Sequence, residues 1–124
     1  MVKFTFSIHY NTIPGQIIRI IGSVEELGNW KEGIDMNYIE NGLWKIEIDI
    51  PTNSFNYKFQ VYNLSTQQID KWEDCNDRLF VLMQQSDEVI VEDNWNNPDD
   101  TKITANKSKI KKSTVKRSTS TEYN

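Results

Sequence analysis

Phe4, Phe6, Ile8 and Tyr10 alternate with Thr5, Ser7 and His9, the period-two pattern of a strand with one buried and one wet face. Pro14-Gly15 breaks that run as a turn, and Gln16 to Gly22 follows as a more fully buried strand. Trp44-Lys45-Ile46-Glu47-Ile48-Asp49-Ile50 alternates without interruption up to Pro51, and Phe55 to Val61 does the same. Weaker strands are predicted near Ile69–Trp72, Leu79–Leu82 and Glu88–Glu92. Turn residues punctuate these runs at intervals of about ten residues, which predicts an antiparallel sandwich or barrel. Only Ser23-Val24-Glu25-Glu26-Leu27 looks helical, with Ser23 and Glu26 at capping-box spacing, and it is expected to form one turn.

From about Asp99 the alternation stops. Residues 101–124 hold nine Ser or Thr, seven Lys or Arg and five scattered hydrophobics. Such a segment buries too little apolar surface to offset its ordering entropy. The expected division is a β-domain over 1–98 and a disordered basic tail over 99–124.

Composition sharpens this picture. The chain has 124 residues, enough for one domain with a real core but not for a two-domain enzyme. Fifteen Ile and seven Val stand against a single Ala, Ala105, and five Leu, a bias toward β structure. Residues 1–100 carry 7 basic and 17 acidic side chains, net −10, while residues 101–124 carry 7 and 1, net +6. An acidic body argues against nucleic acid as its partner. The basic tail, with Lys109, Lys111, Lys112, Lys116 and Arg117, leaves room for an unknown protein or anionic partner, or for a solvated spacer. The longest apolar stretch, Ile17-Ile18-Arg19-Ile20-Ile21, is short and charged in the middle, so no membrane span is expected. The first residues lack a signal-peptide apolar run, which makes the cytoplasm the default expectation.

Four Trp in so polar a chain focus the search for function. The stretch Gly22-Ser23-Val24-Glu25-Glu26-Leu27-Gly28-Asn29-Trp30 is followed by Leu43-Trp44, Tyr57-Lys58-Phe59 and Trp72-Glu73 with Arg78. In order and spacing, from about Val2 to Trp95, these resemble the family 20 carbohydrate-binding module, the starch-binding domain. The resemblance implies an immunoglobulin-like antiparallel β-sandwich of about seven to eight strands. It also implies no catalytic activity, and no cofactor or metal is expected. The implied ligands are α-1,4-glucans: starch, glycogen or malto-oligosaccharides.

The implied first site is a two-Trp platform. The matching positions are Trp30 and Trp72, with Lys58, Glu73 and either Asn76 or Asp77 as polar neighbours. The family places an Asn directly before the Arg matching Arg78, whereas this chain has Asp77 there and Asn76 one residue earlier. Arg78 itself reads as a structural ion-pair residue. The chemistry of the residues agrees with a sugar platform. Exposed indoles stack on the C–H faces of glucose rings, while ammonium, carboxylate and carboxamide groups bind the hydroxyl rim. Lys58 alternates with Tyr57 and Phe59 and therefore points away from the core. Trp30 follows a turn, and Trp72 is flanked by Asp70-Lys71 and Glu73-Asp74, poor company for a core side chain.

An implied second site falls on Trp44 with Tyr10 and Tyr38 as partners. Trp44 is in phase with Ile46, Ile48 and Ile50, so a core role competes with a sugar role there. His9 has no second His nearby and Cys75 is a lone thiol without a His or Asp motif, which speaks against metal or nucleophile chemistry. The competing functional readings are a protein-interaction sandwich that lost its sugar site, and an adaptor that recruits a partner to glycogen through the tail.

Overall fold

The computed structural model describes residues 2–83 and 85–106. Its elements are β1 (Val2–His9), β2 (Gln16–Gly22), a 3-10 segment (Glu25–Trp30), β3 (Ile34–Asp35), β4 (Asn37–Glu40), β5 (Leu43–Ile50), β6 (Ser54–Asn63), β7 (Gln68–Trp72), β8 (Arg78–Val81), β9 (Glu88–Asn94) and β10 (Asn97–Asn106). One sheet has the order β10-β9-β1-β5-β4; the other has the order β3-β2-β6-β7, with β8 also paired to β6. The two sheets form a sandwich.

The strict alternation of the sequence decides which residues lie between the sheets. Phe4, Phe6 and Ile8 of β1 meet Ile18 and Ile20 of β2 and Phe55, Tyr57, Phe59 and Val61 of β6, all buried. The ring of Phe4 lies edge-on to Phe55 and Phe80, at centroid distances of 5.3 and 5.1 Å. Each such Phe contributes about 1.5–3 kcal/mol through removal from water. The parity that sends Tyr57, Phe59 and Val61 inward leaves Lys58, Gln60 and Tyr62 on the outer face of the second sheet.

Three details differ from the sequence expectation. First, the sheets are not wholly antiparallel, because β1 and β9 pair in parallel from Lys3↔Glu88 to His9↔Asn94. Alternation identifies the faces of a strand but not the direction of its neighbour, and strands from opposite ends of a domain are not bound by hairpin geometry. Second, the boundary expected at 98 cuts through β10, whose Lys102 to Asn106 pair with Glu92 to Glu88 of β9. This polar edge strand is held by backbone hydrogen bonds, with only Ala105 packed on the core. Residues 107–124 of the expected tail lie outside the described residues. Third, Ser23 does not cap the 3-10 segment, whose N-cap is Val24 with no side-chain cap bond. The Ser23 hydroxyl instead accepts a hydrogen bond from the Asn56 N–H at 2.9 Å, and Ser23 N–H donates to Asn56 O at 2.9 Å. The cause is the close pass at Gly22, where a Cβ would stand 2.5 Å from Asn56 O. The chain is stitched to β6 before it can turn.

Candidate functional site

The 3-10 segment is shaped to present Trp30. Leu27 is buried and anchors it, and the N–H groups of Leu27 and Asn29 both donate to Val24 O at 3.0 Å. Gly28, Asn29 and Trp30 then follow with φ of 86°, 51° and 62°, a left-handed run. Gly adopts that region freely, but a Trp there stores about 1–3 kcal/mol of strain. The result is an indole 38% exposed at the edge of the outer face. Trp72 is 41% exposed at the end of β7, where it pairs in register with Gln60 of β6.

Trp30 and Trp72 line one groove of about 270 Å³. Its floor and walls come from Arg19 and Ile21 of β2, Gln60 and Tyr62 of β6, and Ile69 of β7, and Lys31 to Gly33 complete it. Arg19 is held in place twice, by Nε to Asp35 Oδ1 at 2.6 Å and by stacking 3.6 Å from the centre of the Tyr62 ring. Lys58 lies one outward position along β6 from Gln60. Its Nζ is 3.8 Å from Asp77 Oδ1, with the Lys58 side chain 16% and that of Asp77 56% exposed. Asn76 is exposed beside it. This places a cation and two hydrogen-bonding side chains around the β7–β8 connection, on the Trp72 side of the sheet.

Glu73 does not belong to this surface, and its expected sugar role is corrected. The residue is buried, and protein donors satisfy its carboxylate. Oε1 accepts from Phe59 N–H and Arg78 Nε, both at 3.1 Å, and Oε2 accepts from Arg78 Nη2 at 2.7 Å and Asn96 N–H at 2.9 Å. Arg78 continues the network, donating from Nη1 to Asp93 at 3.1 Å and from Nη2 to Asn94 O at 2.7 Å. Tyr57 OH and Thr101 OH both donate to Asp93, at 2.8 and 2.6 Å. The ion-pair role expected for Arg78 is thus present, and it ties β6, β8, β9 and β10 together. Burial, and secondly Asp93, push the Tyr57 hydroxyl well above its usual pKa. Burial likewise raises Asp93 despite Arg78.

The residues expected at a second site do come together, but not as a platform. Trp44 is 4% exposed, its Nε1 donates to Tyr10 O at 3.3 Å, and the Tyr38 ring packs edge-on against it at 5.2 Å. The in-phase Ile residues of β5 carry Trp44 into the core, so its face is not available for stacking. Tyr38 remains 55% exposed, and Tyr10 packs against Trp95 at 4.5 Å. Among the described residues no group of three or more His, Cys, Asp or Glu could hold a metal ion. Burial, and secondly Glu73, raise the Cys75 thiol, which disfavours the nucleophilic thiolate.

Sequence reasoning missed Arg19, Gln60 and Tyr62 as groove residues. The parity that turned Lys58 outward applies equally to Gln60 and Tyr62, and would have found them.

The family model described as "Starch binding domain" matches residues 1–92. The chain belongs to the starch-binding domain family. As such it is similar to "Starch-binding domain-containing protein 1" of Homo sapiens, 30% identical over 91 residues, covering 72% of this chain and 25% of the relative. The same-named protein of Rattus norvegicus is 30% identical over 79 residues, covering 62% of this chain and 23% of the relative. This starch-binding domain therefore spans about a quarter of the length of those relatives. Its fold matches the family 20 module of a maltotetraose-forming amylase from Pseudomonas saccharophila with a TM-score of 0.61 at 17% identity, covering 74% of this chain and 100% of the other. It also matches a family 15 glucoamylase from Hypocrea jecorina with a TM-score of 0.69 at 20% identity, covering 76% of this chain and 17% of the enzyme. Membership in this family supports carbohydrate binding, with an α-glucan as the partner. No helix among the described residues is long and apolar enough to cross a membrane.

Proposed function

We propose that this chain binds α-1,4-glucans, starch and glycogen among them, without catalysing a reaction on them. Glucose rings stack on Trp30 and Trp72 while Lys58, Asp77 and Asn76 bind hydroxyls. The observation that carries this reading is the pair of indoles, 38% and 41% exposed, on one groove. An exposed Trp has no packing reason to be large, and a pyranose ring offers C–H faces of matching shape and polarity. The groove supplies recognition without chemistry. The buried carboxylate next to Trp72 in the chain, Glu73, is committed to Arg78.

The strength of such a site follows from its contacts. Two stacking contacts of about 0.5–1.5 kcal/mol and three or four hydrogen bonds of about 0.5–1.5 kcal/mol each sum to about 2.5–9 kcal/mol before ordering costs. Once ordering costs are subtracted, a net of about 4–6 kcal/mol corresponds to dissociation constants from about millimolar to tens of micromolar. Retention on a polysaccharide then depends on several chains or modules acting together. Co-sedimentation with insoluble starch and with glycogen tests the proposal. Folded protein should move to the pellet and be released by soluble maltoheptaose. Protein that stays in the supernatant at millimolar glucan equivalents overturns it.

A further inference from the structure

Gln60 lines the groove shared by Trp30 and Trp72. Its neighbours Phe59 and Val61 are fully buried in the core, so its side chain projects to the outer face, where it pairs with Arg19 on one side and Trp72 on the other. Although it faces outward, it is only 1% exposed. Neither Oε1 nor Nε2 has a hydrogen-bond partner among the described residues. Roughly 90% or more of buried polar groups are paired, so a carboxamide orphaned at both ends requires an explanation. Arg19, the register partner of Gln60 on β2, is directed elsewhere, toward Asp35 and Tyr62. The cover over the amide is Gly33, where a Cβ would stand 2.6 Å from Gln60 Oε1 and 3.0 Å from Arg19 Cβ. Any side chain there would press on the amide. The turn that carries Gly33 follows directly from the strained run that presents Trp30.

We propose that Gln60 reads the glucan from below: its carboxamide pairs with vicinal hydroxyls of a glucosyl unit lying across Trp30 and Trp72. A carboxamide sets one acceptor beside one donor pair, and two adjacent hydroxyls complement it, one donating and the other accepting. Stacking on indoles is tolerant of which sugar is bound. The amide floor adds a demand for a correctly oriented diol and so confers selectivity on the groove. Access requires the Lys31–Gly33 turn to yield, which couples sugar entry to the Trp30 loop. This inference rests on the platform reading above.

The test uses the full chain and maltoheptaose. In the wild type, the Gln60 side-chain NH2 resonance should shift saturably during titration, with the dissociation constant found by calorimetry. The Gln60→Met variant should bind about five- to 150-fold more weakly, the worth of two neutral hydrogen bonds. Its Tm should equal or exceed that of wild type, because an apolar group replaces an unpaired polar one. A structural role for Gln60 would produce the opposite pair, a lower Tm with unchanged affinity. Wild-type affinity in Gln60→Met, a fall in its Tm, or a carboxamide resonance indifferent to ligand overturns the inference. Trp72→Ala separates the two claims: if it loses binding while Gln60→Met keeps it, the platform stands and the amide floor fails. If wild type does not bind, the platform itself fails.

Discussion

Replacing Glu73 by Gln changes one atom at a point where four protein donors converge. The carboxylate accepts from Phe59 N–H, Arg78 Nε, Arg78 Nη2 and Asn96 N–H at 2.7–3.1 Å. A carboxamide keeps one oxygen and turns an NH2 toward two of those donors, whichever way it is placed. Arg78 also loses one of its two carboxylate partners while its side chain remains 3% exposed. Removing one member of a buried ion pair costs about 3–5 kcal/mol, since the remaining charge is left in a poor solvent. For a domain of this size each 1 kcal/mol moves Tm by about 4–8 °C, so Glu73→Gln should melt about 12–40 °C below wild type. Calorimetric melting at pH 7 measures this, and titration with maltoheptaose below the lowered Tm measures the sugar site. Affinity per folded molecule should stay within about twofold of wild type, because the residue faces the network rather than the groove. A variant that melts within about 4 °C of wild type yet no longer binds glucan would refute the reasoning and return Glu73 to the sugar surface.

Other consequences follow from the same network and from the Trp30 loop. Tyr57 keeps its proton in the folded state above its ordinary value of 10.0, where the unfolded chain releases it. Its contribution is therefore complete below that pH and is lost as pH rises, by about 1.4 kcal/mol per pH unit. Tyr57→Phe should flatten the fall of Tm between pH 10 and 12 by one proton, and an unchanged slope counts against the assignment. Gly28→Ala, at φ 86°, should cost about 1–2 kcal/mol and weaken maltoheptaose binding by re-aiming Trp30; equal Tm and affinity would count against a strained loop. A chain ending at Pro98 loses the Thr101 bonds to Asp93 and the pairing of β10 with β9. Thermal melting should place it roughly 10 °C or more below a chain ending at Asn106.

The fold was legible where one residue type in two is apolar. Phe4 to Ile8, Trp44 to Ile50 and Phe55 to Val61 each declare a buried face, and the sandwich follows from stacking those faces. The same parity turned Lys58 outward, and charged neighbours marked Trp72 as a surface residue. β10 was not legible, because Asn97 to Asn106 is almost entirely polar and is held by main-chain pairing that no side-chain pattern reports. Glu73 looked like one more surface acid beside Trp72. Its burial depends on Arg78 and on the N–H groups of Phe59 and Asn96 converging on it from other parts of the chain, which only the tertiary structure shows. The orphaned Gln60 was hidden for a similar reason, since its cover is the Gly33 turn from another part of the chain.

The most direct measurement is a calorimetric titration of maltoheptaose into wild type, Trp30→Ala and Trp72→Ala, each shown to be folded by its melting curve. The account predicts a wild-type dissociation constant between about 1 mM and tens of micromolar. Each Trp removed should weaken it by about 0.5–1.5 kcal/mol or more, and removal of both should abolish measurable binding. Two folded single variants that bind as tightly as wild type would contradict the claim that the groove between Trp30 and Trp72 is where this protein meets its glucan.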